Sequence, residues 1–430
     1  MNRIIDPIVD GYKDRAVEWR RDFHKYAEPG WLEFRTTSRI VEILTAEGIP
    51  VLYGPATVDP QYAWSYPADR IPAETERAIA QGANPEIVAA MQGYTGAVAV
   101  IDTGKPGKTY ALRFDIDALG VSEQQSGSHL PHLGGFASVN ENVMHACGHD
   151  GHAAMGLVVA ISLNRMKDQL TGRYKVIFQP GEEGCRGGQA VAESGLLDDV
   201  DVFLSGHLGL GLPTGTFAVF NEGFLASTKF DLIFEGRSAH AGASPQEGHN
   251  AILAASSAIL AMYSLCQDGR GTTRLNVGTI CGGTGRNVIA DRAQIQMETR
   301  GTDNEIEQRL FHACLSAAQG AAQMYGCTVR HEIRGYAPAF LCDRELEAAI
   351  RTGAQKVAEI GSILPVLQAT GSEDVGYLMK KVRERGGTAA YMGIGSTSPA
   401  PHHSIDFDLD EASILHGAKV YLHTLLELQE

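Results

Sequence analysis

Three histidines, a cysteine and an aspartate fall within residues 145–152, in the stretch MHACGHDGHA (144–153). Cys147 and His149 are two residues apart, so an extended turn can aim both at one cavity. Gly148 and Gly151 permit the tight backbone path such a turn needs. A second stretch, QPGEEGCRGG (179–188), places the adjacent acids Glu182 and Glu183 directly after an apolar run. Beside a metal, one such carboxylate can bridge two cations while its neighbour takes a proton from water. His207 ends another apolar run, and PHHS (401–404) follows the apolar YMGIG. Thiolate, imidazole and carboxylate together are a donor set for divalent transition metals, and the chemistry they imply is metal-assisted hydrolysis.

The elements around these residues explain how segments far apart in sequence could meet. Residues 13–27 and 36–47 read as amphipathic helices, the second stopped by Gly48. Short apolar strands are expected at 96–102, 110–119, 174–180 and 201–208, with a helix at 153–166 between the second and third. Strands alternating with helices imply an α/β layer with a largely parallel sheet, whose C-terminal strand edge is where such folds place ligands. From about 225 the order becomes β-α-β-β-α-β, resembling a ferredoxin-like module. The expected architecture is therefore a discontinuous catalytic domain, 1–224 and 335–430, with mostly parallel sheet flanked by helices. An α+β lid or dimerisation domain is inserted at 225–334. Residues 57–92 interrupt the α/β rhythm, with Asn84-Pro85 marking a helix start. They read either as a surface insertion or as a wall of the substrate pocket.

Composition narrows the class. A chain of 430 residues with 44% hydrophobic and 20% charged residues is long enough for two globular domains. A net charge of −15 argues against nucleic acid as partner, while leaving a local arginine free to bind an anionic substrate. The N-terminal MNRIIDPIVDGYKDR is too broken by charge for a signal peptide, and the apolar stretch 251–266 is too short for a bilayer span. Seven scattered cysteines argue against a disulfide framework and for a cytoplasmic location.

Together these motifs resemble the aminoacylase/carboxypeptidase superfamily of binuclear metallohydrolases, in the branch of hippurate hydrolases and auxin-conjugate amidohydrolases. The likeness runs through WRRDFHKYAEPGWLEFRT, RFDIDAL, HACGHDGH, QPGEEG, SAHAGASP, GRNVIAD, METRG, GSEDVGYL and HHSIDFDLDE, essentially the whole chain. The first of these, with the 57–92 segment, points to the group acting on p-aminobenzoyl-glutamate. The resemblance implies Cys147, His149, Glu183, His207 and His403 as ligands of two divalent metals, Mn2+ or Zn2+. His403 is preferred to His402 because the branch places the ligand four residues before an aromatic, here Phe407. Glu182 matches the general base, and Asp117 a residue supporting a ligand from behind. His240 matches a histidine that stabilises the oxyanion in the site of a neighbouring protomer; Asn287 and Arg300 match residues gripping the substrate, the arginine through its terminal carboxylate. Gly181 departs from the pattern, since relatives usually carry alanine there.

The implied activity is hydrolysis of the amide of an N-acyl or N-aroyl amino acid, p-aminobenzoyl-glutamate foremost, with indole-3-acetyl-aspartate as alternative. The implied assembly is a homodimer, and a related second polypeptide is a further partner. Two other classes compete. A cysteine hydrolase would use Cys147 as nucleophile with His145, His149 or His152 as base. A non-catalytic binding protein would keep only the fold, yet every ligand position and Glu182 are filled.

Overall fold

The computed structural model describes residues 2–369 and 371–429. Its strands in chain order are β1 (Val51–Tyr53), β2 (Ala97–Asp102), β3 (Thr109–Asp115), β4 (Arg173–Gln179), β5 (Val202–Leu208), β6 (Thr216–Glu222), β7 (Ala226–Glu235), β8 (Thr273–Gly282), β9 (Arg292–Gly301), β10 (Thr328–Ala337), β11 (Ser362–Gln368) and β12 (Thr388–Ile394). The chain divides into two compact units. One comprises Met1–Glu222, Leu341–Ala369 and Val375–Glu430; the other comprises Gly223–Phe340 and Thr370–Asp374.

The first unit is built on an eight-stranded sheet of order β1-β2-β4-β3-β5-β12-β6-β11. The neighbours β4, β3, β5 and β12 run parallel, as do β6 and β11. The pairs β1/β2, β2/β4 and β12/β6 are antiparallel. Strands β3, β4, β5 and β12 are almost wholly buried, which is why they read as unbroken apolar runs rather than alternating ones. From β3 the chain crosses to β4 on one side and later reaches β5 on the other. The C-terminal edge of β3 is thus a topological switch point, flanked by loops that diverge and leave a crevice.

The crossover helix His149–Met166 is buried on nearly every face. It lies close enough to the sheet that a Cβ on Gly156 would stand 2.8 Å from both Phe114 and Phe178. This helix starts at His149, four residues before the sequence-based expectation, so His149 itself occupies the first turn. Gly148, at φ 88°, supplies the left-handed turn into it. Strands β6 and β11 and the helices Asn2–Asp10 and Val375–Glu384 are additions to the elements expected from sequence.

The second unit has a four-stranded antiparallel sheet of order β10-β7-β9-β8. Helices Ala251–Ser264 and Asn304–Met324 pack on one core with it, through Ala254, Ala258, Met262, Leu310, Cys314 and Ala318. Small residues on facing helices allow that close approach. In chain order the unit reads β7-helix-β8-β9-helix-β10, a split β-α-β arrangement.

Candidate metal centre and its relatives

Four adjacent parallel strands end at the same edge, and each delivers part of one cluster. Asp115 and Asp117 follow from β3, Glu182 and Glu183 from β4, His207 from β5, and His403 from the loop after β12. Cys147 and His149 join them from the start of the crossover helix. Ligand atoms lie within 4.8 Å of one another in the groups Cys147–His149–His207, Cys147–Glu183–His403 and His149–Glu182–Glu183. Cys147, His149 and Glu183 each fall in two of these groups; of the three, Glu183 has the two carboxylate oxygens with which two cations could share one residue.

Imidazole tautomers are set by backbone carbonyls, which can only accept. Nδ1 of His149 donates to the carbonyl of Asp117 (2.9 Å), and Nδ1 of His207 donates to that of Leu208 (2.7 Å). Both Nε2 atoms are left as lone-pair donors toward the cluster, the arrangement a metal-binding histidine requires. Nε2 of His207 lies 3.4 Å from the Cys147 sulfur. Nε2 of His149 and Oε1 of Glu183 are buried without a hydrogen-bond partner. Buried polar atoms of that kind call for a ligand, and a cation meets the need of a lone pair.

The electrostatics of Cys147, Glu183 and His207 agree, whereas, against burial, Asp115 and Cys147 hold His149 well above its ordinary range, so a cation there would displace a proton. Burial, with Glu183 adding to it, pushes the Cys147 thiol up to about 12. Burial likewise lifts Glu183 to about 7, against the pull of His149. Burial, then His152 and His402, hold His207 well below its ordinary range. A neutral thiol, a neutral imidazole and a half-protonated carboxyl are what remains of a site built to hold cations, because ligation ionises the acids and uses the neutral imidazole. A thiol pushed up by burial is also a poor nucleophile, which argues against the cysteine-hydrolase reading.

The loops are held from behind. The Asp117 carboxylate accepts the backbone N–H of Glu182 on Oδ1 (3.0 Å) and of Glu183 on Oδ2 (2.9 Å). Glu33 accepts the N–H of Gly181 (2.8 Å), whose φ of 64° suits the glycine standing there in place of alanine. His403 also has positive φ, 68°, and its N–H donates to the carbonyl of Ala146 (2.7 Å). That pins the PHHS loop to the Cys147 loop and leaves His403 Nε2 3.6 Å from Glu183. Its neighbour His402 instead reaches the Leu208 carbonyl at 3.3 Å and lies against Phe407.

Sequence reasoning missed the Asp115–His152 pair. His152 Nδ1 donates to Asp115, and its Nε2 accepts the N–H of Leu208 (2.9 Å), so both nitrogens are engaged in fixing the end of β5 beside His207. The visible signal is the first acid of RFDIDAL, two residues before Asp117. Residues 59–66 border this site: Asp59 N–H donates to Ala190, Trp64 N–H to Arg186, and Trp64 Nε1 to Gln189. The 57–92 segment is thus anchored at Arg186 on the loop that bears the two glutamates and on the helix Gly188–Glu193 that follows it.

The remaining expected residues stand on the second unit. His240 is exposed; its Nδ1 accepts the N–H groups of Gly242 (3.1 Å) and Ala243 (3.0 Å), which places the ring proton on Nε2. The Asn287 carbonyl accepts from Ala241 (3.0 Å), joining the two loops. Arg300 donates to both oxygens of Glu298 (2.9 and 3.2 Å), two residues away on the same face of β9.

Residues 111–427 match the model of peptidase family M20/M25/M40. The chain belongs to that family. This M20 chain is 41% identical over 425 residues to the first of the p-aminobenzoyl-glutamate hydrolase subunits of Escherichia coli (strain K12), covering 98% of each. It is 42% identical over 412 residues to indole-3-acetyl-aspartic acid hydrolase of Enterobacter agglomerans, covering 94% of each. Among solved structures, an aminobenzoyl-glutamate utilization protein from Klebsiella pneumoniae superposes with a TM-score of 0.84 at 34% identity, covering 98% of both chains. The M20 chain is therefore a metal-dependent amidohydrolase with the family's two-unit fold. No helix among its described residues is long and apolar enough to cross a membrane.

Proposed function

We propose that this amidohydrolase cleaves the amide of an N-aroyl or N-acyl amino acid, with p-aminobenzoyl-glutamate yielding p-aminobenzoate and glutamate as its first substrate. The observation that carries the reading is the convergence of Cys147, His149, Glu183, His207 and His403 on one sheet edge with Glu182 among them. The two similar enzymes, named for conjugates of glutamate and of aspartate, support the substrate class. Indole-3-acetyl-aspartate is the second substrate to test, because the likeness to the enzyme named for it is as extensive.

The five ligands fit a pair of divalent cations. Thiolate and imidazole favour zinc, whereas the carboxylates suit manganese as well, and the resemblance inclines the choice to manganese. When bound, such cations acidify water and polarise the amide carbonyl. The chain's own residues supply the rest. Glu182, buried beside Glu183, takes the proton of the attacking water and passes it to the departing amino-acid nitrogen. His240 offers its Nε2 proton to the oxyanion. Asn287 and Arg300 hold the amino-acid part; to meet a substrate carboxylate, Arg300 exchanges part of its contact with Glu298.

A homodimer is part of this reading. Helix Ala251–Ser264 exposes Leu253, Leu260 (78%) and Tyr263, and β8 is an edge strand exposing Ile280. An unpaired edge beside exposed apolar side chains suits a second copy, and His240 would then serve the partner's site. A cytoplasmic setting is also part of this reading, and the free cysteines support it. The test is release of glutamate from p-aminobenzoyl-glutamate by protein stripped of metal and reloaded with manganese or zinc, with indole-3-acetyl-aspartate and hippurate alongside. Metal-dependent release, fastest with the first, supports the proposal; release from only another conjugate replaces the substrate.

A further inference from the structure

The loop bearing Glu182 and Glu183 carries a cation with no assigned task. Arg186 is partly buried, and its Nε donates to the backbone carbonyl of Glu183 at 2.7 Å. That bond fixes the plane of the guanidinium three residues from the glutamates. The terminal nitrogens make no hydrogen bond and no ion pair among the described residues. Every other described arginine of the first unit that is at least partly buried, from Arg20 and Arg35 to Arg113 and Arg383, faces a carboxylate. The head of Arg186 lies against Gly30, where a Cβ would collide with Nη2 and stand 3.0 Å from Oδ2 of Asp117. Room for this guanidinium thus depends on a glycine of the Pro29–Gly30–Trp31 turn. The N–H of Trp64 donates to the Arg186 carbonyl (3.3 Å), and Trp31 Nε1 donates to the Trp64 carbonyl (3.0 Å), bracing the loop with aromatic residues.

An unpaired, oriented guanidinium beside a cluster of acids suits an anion from outside the chain. Its planar fork matches a carboxylate bidentately, which an ammonium does not. The surroundings make the need specific. With the cations engaged by the scissile amide and Arg300 by the terminal carboxylate, a second carboxylate on the substrate would give up its water unpaired unless a further cation received it. From the amide-hydrolase reading above, we propose that Arg186 binds the side-chain carboxylate of the substrate's amino acid. The enzyme then selects conjugates of dicarboxylic amino acids over those with neutral side chains.

The experiment compares p-aminobenzoyl-glutamate with p-aminobenzoyl-alanine, which keeps the aroyl group and the terminal carboxylate. In R186Q the glutamyl-to-alanyl ratio of kcat/KM falls about 10–100-fold, chiefly through KM of the glutamyl conjugate, as expected for one lost charge-assisted pair. R186K recovers part of the ratio, since it restores charge without the fork. Both variants lose the Nε bond to Glu183, so a role confined to bracing the loop would lower both conjugates equally and leave the ratio unchanged. That outcome overturns the proposal. If the wild-type enzyme hydrolyses neither conjugate, the substrate reading fails, and the subsite is read from calorimetric binding of the two conjugates to metal-loaded protein. A glutamyl preference lost in R186Q supports it; equal affinities in the wild type overturn it.

Discussion

Asp117 is expected to control the site without touching a metal, and Asp117→Asn tests that. Its carboxylate is buried and accepts two N–H groups, those of Glu182 at 3.0 Å and Glu183 at 2.9 Å. Its own carbonyl receives Nδ1 of His149, which also lies 3.4 Å from Oδ1, so the ring keeps its carbonyl bond while losing a charged neighbour. Asparagine keeps one acceptor oxygen and turns an NH2 group toward the other N–H, so one charged hydrogen bond is lost outright. A hydrogen bond to a charged group is worth about 1.5–3 kcal/mol net, which corresponds to roughly 10–150-fold in an equilibrium or rate. Altered support behind metal ligands typically costs about 10–100-fold in metal affinity or activity, and the two ranges overlap. The expected result is weaker metal binding, measured by titration against a chromophoric chelator, together with a lower kcat at saturating metal. Fold content by circular dichroism should match the wild type. Wild-type metal affinity and turnover in Asp117→Asn would refute the claim that this carboxylate positions the Glu182–Glu183 loop.

Glu182→Gln should retain its metals by elemental analysis while losing about 10²–10⁴ in kcat, the range for a general acid–base residue; wild-type-like turnover removes Glu182 from that role. His240→Ala should lose about 10²–10³ in kcat, as for an oxyanion donor. Because His240 is exposed, its melting temperature should hardly move, and a kcat within threefold of wild type would leave its proton without a catalytic use. Glu33 sets a pH dependence: burial, then Asp117, push its carboxyl from 4.5 up to about 8. A carboxyl that binds its proton more tightly when folded adds stability at low pH and loses it as pH rises from about 4.5 to about 8. Metal-free wild-type protein should therefore become less stable to urea across that window, and Glu33→Gln, shaped like the protonated acid, should flatten the curve. An unchanged slope would assign the loss to other groups.

The segments that the structure brings together at the sheet edge were legible because metal chemistry needs unusual residue types close together, and MHACGHDGHA has few other uses. What held those segments was harder to read. Strand β11 (SILPVLQ) contains Pro365, which argues against a central strand; it lies at the sheet's edge, where a missing N–H is tolerated. The crossover helix was expected only from 153 because Gly151 weakens helix propensity. In the structure that glycine leaves room for Leu208 and Leu409, which would stand 2.8 and 2.9 Å from a Cβ. Asn84 did cap its short helix as its sequence suggests, accepting from Glu86 N–H at 2.9 Å. A local signal of this kind survives folding because both partners are neighbours in sequence. The pairing of Arg300 with Glu298 did not show, although a spacing of two on a strand puts both side chains on one face.

The N-terminal motif WRRDFHKYAEPGW gains a physical reason from what it reaches. Arg20, fully buried, pairs with Asp150 (2.7 Å) and Asp408 (2.6 Å); His24 bonds Asp150 (2.8 Å) and Glu123 (2.9 Å). Asp150 sits in the first turn of the helix that opens with His149, so this network grips the turn presenting two expected ligands. A buried ion network is weak evidence of stability, since desolvation offsets most of its attraction. Its value lies in geometry, because each charge is solvated by only one arrangement of its partners. Helix Lys13–Lys25, the start of helix His149–Met166 and residues 408–411 are fixed together, and the ligand turn has one place to stand. Glu123 extends the grip by accepting from His129 and from the N–H of Ser138, which ties the 120–140 loop to the same core. A motif remote in sequence from every ligand thus acts on the metal centre through the backbone that carries it.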